Sequence, residues 1–153
     1  MAISPWKRDP FSALLLRLEG CNSLEEMLAV YCRVEFLDSR NLYRCDTCAN
    51  FMPTSKLLGI EVPPEVLTIV ASRFEKTTTS QTEKDPRPIR FRFTLDLRPY
   101  LARNGIIACD YGLVALVVHR GSSKRSGHYY CYALHSLTDQ YVMSPCLLPP
   151  ACS

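Results

Sequence analysis

The chain has 153 residues, 47% of them hydrophobic and 10% aromatic, with eight Cys, eleven Pro and a net charge of +3. That is enough apolar mass for one domain, and it excludes a disordered tail, a collagen-like fibre and a coiled coil. The longest apolar runs, such as Leu113 to Val118, are far short of the ~20 residues that span a bilayer, and Lys and Arg are scattered, so neither a membrane nor a nucleic acid is an expected partner.

Lys7 and Arg8 are followed at once by Asp9 and Pro10, and Ala13 to Leu16 is too short for the apolar stretch of a secretory signal. An intracellular chain (cytoplasm or nucleus) with reduced cysteines is therefore expected. Phe11 to Leu18 reads as a short strand. Asn22 or Ser23 can cap a helix, because its side-chain oxygen can accept a free N–H of the first turn. Glu25 and Glu26 suit the positive end of that helix. Leu24, Met27, Leu28 and Tyr31 then repeat at helical spacing and predict one buried face.

Lys56 to Val62 and Glu65 to Phe74 read as two strands around Pro63-Pro64. The second is rich in β-branched residues. Glu75 to Pro88 holds no large apolar residue, so it reads as a solvated loop or the tip of a long hairpin. Ile89, Phe91 and Phe93 alternate with Arg90 and Arg92, the period of a half-buried strand. Asp96 to Leu101 fits one helical turn. Tyr111 to His119 and Gly127 to Leu134 read as strands joined by a Gly/Ser/basic turn, and should pair antiparallel. One α+β domain is predicted, mainly antiparallel sheet with one clear helix.

Two groups of residues could carry chemistry. Cys45-Asp46-Thr47-Cys48 offers two thiolates at a spacing that can chelate zinc, but tetrahedral zinc needs four ligands and no second CxxC exists. Half a metal site and a merely packed pair are both open. Thioredoxin-like redox use is not expected, because no βαβ pattern surrounds the pair. The sharper feature is Gly127-His128-Tyr129-Tyr130-Cys131-Tyr132. An imidazole opening a strand can take a proton near neutral pH, and a preceding Gly lets another backbone approach closely. The competing reading is a packed His in an aromatic strand. His119 is expected to be structural, through a hydrogen bond to the turn.

Tyr111 to Gly121 followed by Ser126-Gly127-His128-Tyr129 resembles the histidine box of the ubiquitin-specific proteases. Upstream, further segments are similar to that family in the same order. They are Asp9-Pro10-Phe11 with Leu14-Leu15-Leu16, Ser23 to Leu28, Tyr43 to Cys48, and Pro64 to Ile69 leading to Arg73-Phe74. The resemblance covers residues 9–143. It implies part of a papain-like fold of palm and fingers, a cysteine-type deubiquitinase reaction, and ubiquitin or a ubiquitinated protein as partner. By the same resemblance His128 is the general base, Gly127 and Tyr129 border the groove for the ubiquitin tail, and Cys45 and Cys48 are half of the fingers' zinc site. No other cofactor is expected.

The departures shape the functional expectation. The family's nucleophile box, Gly-Asn-x-Cys opening a helix, has no counterpart here. Neither an Asp nor an Asn follows the strand Tyr141-Val142-Met143, where the family's third member would stand. Asp139, before that strand, reads as a turn residue. Cys21 lies just ahead of the predicted helix, where the dipole lowers a thiol pKa, but its surroundings match a structural helix. Cys131 reads as a packing residue. The expectation is a single partial domain over 1–153, the C-terminal half of the family's fold with an irregular tail at 144–153, inert alone. The alternatives are a non-catalytic ubiquitin-binding module and a truncated product without function.

Overall fold

A computed structural model describes residues 7–37, 41–45, 48–76, 82–102, 109–123 and 126–145. In chain order these form β1 (Leu14–Arg17), α1 (Leu24–Tyr31), β2 (Glu35–Leu37), β3 (Tyr43–Arg44), β4 (Phe51–Met52) and β5 (Thr54–Lys56). Next come β6 (Ile69–Ser72), β7 (Phe74–Lys76), β8 (Thr82–Lys84), β9 (Thr94–Asp96) and a 3-10 turn at Arg98–Tyr100. The chain continues as β10 (Asp110–Gly112), β11 (Ala115–Ser123), β12 (Ser126–His135) and β13 (Gln140–Pro145). The pairs β2–β5, β3–β4, β7–β8 and β9–β10 are antiparallel, and so is the meander β11–β12–β13. Only β1 and β6 pair in parallel among the described strands. This is the expected α+β, mainly antiparallel architecture with one clear helix.

The core forms where local signals agree. In β1, Leu14 and Leu16 are buried while Leu15 and Arg17 face out, as the two-residue period of a strand requires. Helix α1 starts at Ser23, whose Oγ accepts the Glu26 N–H at 3.2 Å, while the Glu26 carboxylate accepts the Asn22 N–H at 2.7 Å. Both bonds satisfy donors that a helix start leaves open. The buried side of α1, Met27 and Leu28, meets Leu14, Leu16, Leu18, Ile60 and Leu97. Each such side chain contributes about 1.5–3 kcal/mol on leaving water.

Four expected strands are redrawn by tertiary hydrogen bonds. Phe11 to Leu18 shortens to β1, with Phe11 exposed. Lys56 to Val62 leaves the ladder after Lys56, apart from a single bridge of Ile60 to Leu101, and Ile60 exchanges backbone bonds with Tyr100 and Ala102. Glu65 to Phe74 splits into β6 and β7 around Arg73, whose carbonyl accepts the Asp85 N–H and whose guanidinium donates to the carbonyls of Asp85 and Arg87. Ile89 to Phe93 is not a strand: Arg90 bridges Ser23 alone, and Phe91 and Phe93 stay exposed.

The hairpin expectations hold, with adjusted ends. Glu75 to Pro88 includes the hairpin arms β7 and β8; residues 77–81 lie outside the described residues. Tyr111 to His119 divides at Leu113, whose N–H donates to Phe93 and whose carbonyl accepts the Tyr141 hydroxyl. There the chain changes partner from β9 to β12. The final strand runs on through Ser144 and Pro145, two positions into the stretch expected to be irregular. Residues 146–153 lie outside the described residues.

Candidate functional site

Strand parity decides what shares a face with His128. The register pairs His128 with Arg120, Tyr130 with Val118, Tyr132 with Leu116 and Met143 with Tyr132. Residues two apart on a strand face the same way. Accordingly an open groove is lined by Arg120, Gly121, His128, Tyr130, Tyr132 and Met143. His128 is solvent-exposed at its edge, and Tyr130 meets Tyr132 edge to face at 5.8 Å between centroids. The imidazole therefore opens onto solvent beside an aromatic wall, with one guanidinium opposite.

Tyr129 lies on the other face. Its ring meets that of His119, its cross-strand partner, at 4.8 Å and a tilt of 40°, and His119 also meets Phe74 at 5.9 Å. The expected hydrogen bond from His119 to the turn is not made by Nδ1, which is buried without a partner. The ring is held by packing instead. It also explains Gly127: a Cβ there would stand 2.2 Å from His119 Nε2 and 2.7 Å from the Arg120 carbonyl oxygen. Gly127 has φ +152°. Across the hairpin, a Cβ on Gly121 would meet the Ser126 carbonyl oxygen at 2.5 Å. The glycines thus serve close approach within the hairpin itself.

None of the six described cysteines lines this groove. Cys21 and Cys109 are buried in the core. Burial, reinforced by the charges of Glu26 and Glu19, pushes the Cys21 thiol up, which outweighs the lowering expected ahead of a helix. Cys32 is likewise raised by burial, and its Sγ lies 3.6 Å from the Tyr100 carbonyl oxygen. Cys131 pairs with Val117 and Ser144, three positions from His128 and so on the opposite face. Cys45 and Cys48 lie between the arms of the β3–β4 hairpin, where Cys45 exchanges backbone bonds with Ala49 and Asn50. Among the described residues no three His, Cys, Asp or Glu side chains gather as a metal site. Two thiols are two of the four ligands that a tetrahedral zinc needs.

The third position is also placed. Asp139 has φ +52° and closes the turn after His135, as a turn residue should. It is more than seven strand residues from His128, ~20 Å or further at 3.3 Å per residue, and cannot orient that ring. The register sets Pro145 against Tyr130 and Ser144 against Cys131. Neither residue type is a carboxylate or an amide. Sequence reading missed Arg120, Tyr130, Tyr132 and Met143, although counting in twos from His128 would have found the two tyrosines.

Comparison with known proteins converges on one family. The model described as "Ubiquitin carboxyl-terminal hydrolase" matches residues 21–144. "Ubiquitin carboxyl-terminal hydrolase 16" of Arabidopsis thaliana is 36% identical over 128 residues, which is 82% of this chain and 12% of that protein. "Ubiquitin carboxyl-terminal hydrolase 42" of Homo sapiens is 32% identical over 124 residues, 81% of this chain and 9% of that protein. Among solved structures, the SAGA DUB module Ubp8/Sgf11/Sus1/Sgf73 bound to monoubiquitin superposes with a TM-score of 0.78 at 28% identity, covering 90% of this chain and 30% of the matched one. The same module bound to ubiquitin aldehyde gives 0.73 at 26% identity, covering 90% and 32%. The chain thus spans less than a third of these relatives. No helix among the described residues is long and apolar enough to cross a membrane.

Proposed function

The chain belongs to the ubiquitin carboxyl-terminal hydrolase family, and on that premise we propose that it is one partial domain over 1–153, with its family-like part at 9–143, carrying the base side of a deubiquitinase site. His128 is the base that takes the proton of a thiol attacking the carbonyl carbon of ubiquitin's last residue, and then gives it to the leaving amine as the C–N bond breaks. Its exposure at the edge of the aromatic groove supports this role. Gly127 brings the hairpin backbone close to His119, Tyr130 and Tyr132 wall the substrate tail, and Tyr129 supports the hairpin from behind through His119. Ubiquitin is the partner. Cys45 and Cys48 supply half of a zinc site. The buried free thiols of Cys21 and Cys109 suit a reducing, intracellular setting.

On its own the chain binds ubiquitin without turning it over. The observation that carries this is that all six described cysteines lie outside the groove of His128. A base without a nucleophile retains only a residue of the original rate enhancement. A ubiquitin bearing a C-terminal electrophile is expected to leave the chain unlabelled. A covalent adduct that His128→Gln abolishes would overturn the inert reading. Titration of isotopically labelled ubiquitin is expected to shift its C-terminal resonances, and a flat titration to millimolar protein would refute the partner.

A further inference from the structure

The outer edge of β11 carries a clamp that none of the roles above uses. A strand at a sheet edge leaves alternate carbonyls unpaired, and each needs a donor when it is shielded from water. Strand β8 runs beside β11, and the half-buried Lys84 places its Nζ 2.7 Å from the His119 carbonyl oxygen and 3.0 Å from that of Gly121. These two carbonyls flank Arg120, the residue paired with His128. The ladder loses its regular register immediately afterwards, between Arg120 and Ser123. A second contact runs in parallel: Phe74, on the neighbouring arm β7, meets the His119 ring, which fills the space beside Gly127. The β7–β8 hairpin is thus fastened to the His128 hairpin at the backbone and at a ring.

We infer that Lys84 is a positioning residue for His128, its ammonium fixing the edge of β11 so that the Gly121–Gly127 approach, and with it the start of β12, keeps one geometry. A charged donor shared by two carbonyls does this better than a neutral one, because charge-assisted hydrogen bonds are the stronger class. The inference rests on reading His128 as the substrate-facing group, but its test reads the hairpin directly, so the failure of either is told apart from the other.

The test is amide hydrogen exchange by NMR on the whole chain. Lys84→Met is expected to speed exchange at Gly127 to Tyr130 by roughly tenfold, the scale of one lost charged hydrogen bond, while the amides of α1 change less than twofold. Lys84→Arg is expected to restore most of the protection. Unchanged exchange at Gly127 to Tyr130, or an equal rise across α1 and the sheet, overturns the proposal, the latter by showing a merely global effect. If Lys84→Met does not fold, the native protein decides: its Lys84 ammonium protons should exchange with water several-fold more slowly than those of Lys7, and equal rates refute the clamp. Ubiquitin titration of the Lys84→Met variant is a separate arm that bears on the functional reading alone.

Discussion

Gly127 stands at the tightest point of the hairpin. At Gly127 a methyl group would collide with His119 Nε2 and with the Arg120 carbonyl oxygen, on a backbone at φ +152°. The ring can move; the carbonyl cannot without opening the ladder. Gly127→Ala is therefore expected to destabilise the chain by about 2–4 kcal/mol. In combination with His119→Ala the two costs should fall short of additive, since one removes part of the other's obstacle. Urea unfolding of both single variants and the pair checks this, and strict additivity would mean that the ring is not the obstacle. His128 is the contrasting case. It is exposed, so His128→Gln should change stability by less than ~0.5 kcal/mol even though it removes the proposed base. A large loss would make it a packing residue after all.

At the scale of elements, what was legible depended on whether the deciding interactions were local. Helix α1 is written within ten residues: cap, acidic first turn and apolar stripe. Ser23→Ala should accordingly cost about 1 kcal/mol by loss of the Glu26 N–H acceptor, measurable as a lowered urea midpoint. The β11–β12 hairpin was legible for the same reason, since a polar turn separates two alternating runs. The Ile89 to Phe93 stretch was not. Its alternation is genuine, but its backbone bonds go to Asn22, Leu24 and Leu113, all remote in sequence, and nothing in the five residues says so. The break at Arg73 is equally remote in origin, set by Asp85 and Arg87. That corner titrates. The Arg87 side chain and N–H, followed by the charges of Arg87 and Arg73, hold the Asp85 carboxyl down to about 2 from an ordinary 3.8. A depressed carboxylate stabilises the fold above its unfolded pKa and loses that contribution as pH falls through the folded one. The stability difference between wild type and Asp85→Asn should then be constant from neutral pH to about 4 and vanish towards pH 2; a difference that persists below pH 2 would assign it to something other than this ionisation. In the candidate site, the motif singled out His128, whereas which face of the strand each tyrosine takes needed the register.

For the whole molecule, the issue is where the apolar surface goes. The described core is a single cluster around Leu16, Met27, Leu28 and Leu97 with no buried polar or charged residue. Against it stand exposed apolar faces on paired strands: Leu15 beside Val70, and Val117, Tyr129 and Val142 on one side of the meander. Contiguous apolar surface on a monomer marks a contact site or an association hazard. The chain spans less than a third of the relatives it matches, and on the partial-domain reading proposed above both follow. The thermodynamic consequence is specific. A fully closed domain of this length would absorb roughly 100 kcal/mol at its midpoint, at about 0.7 kcal/mol per residue. This chain should absorb well under that and unfold non-cooperatively, with a van't Hoff enthalpy that disagrees with the calorimetric one. It should also bind the dye ANS while retaining its far-UV circular dichroism, since the exposed faces are apolar but the strands are paired. A sharp two-state transition of full enthalpy, with no dye binding, would show that these faces are covered in solution, and the reading of the chain as the open half of a larger fold would fall with it.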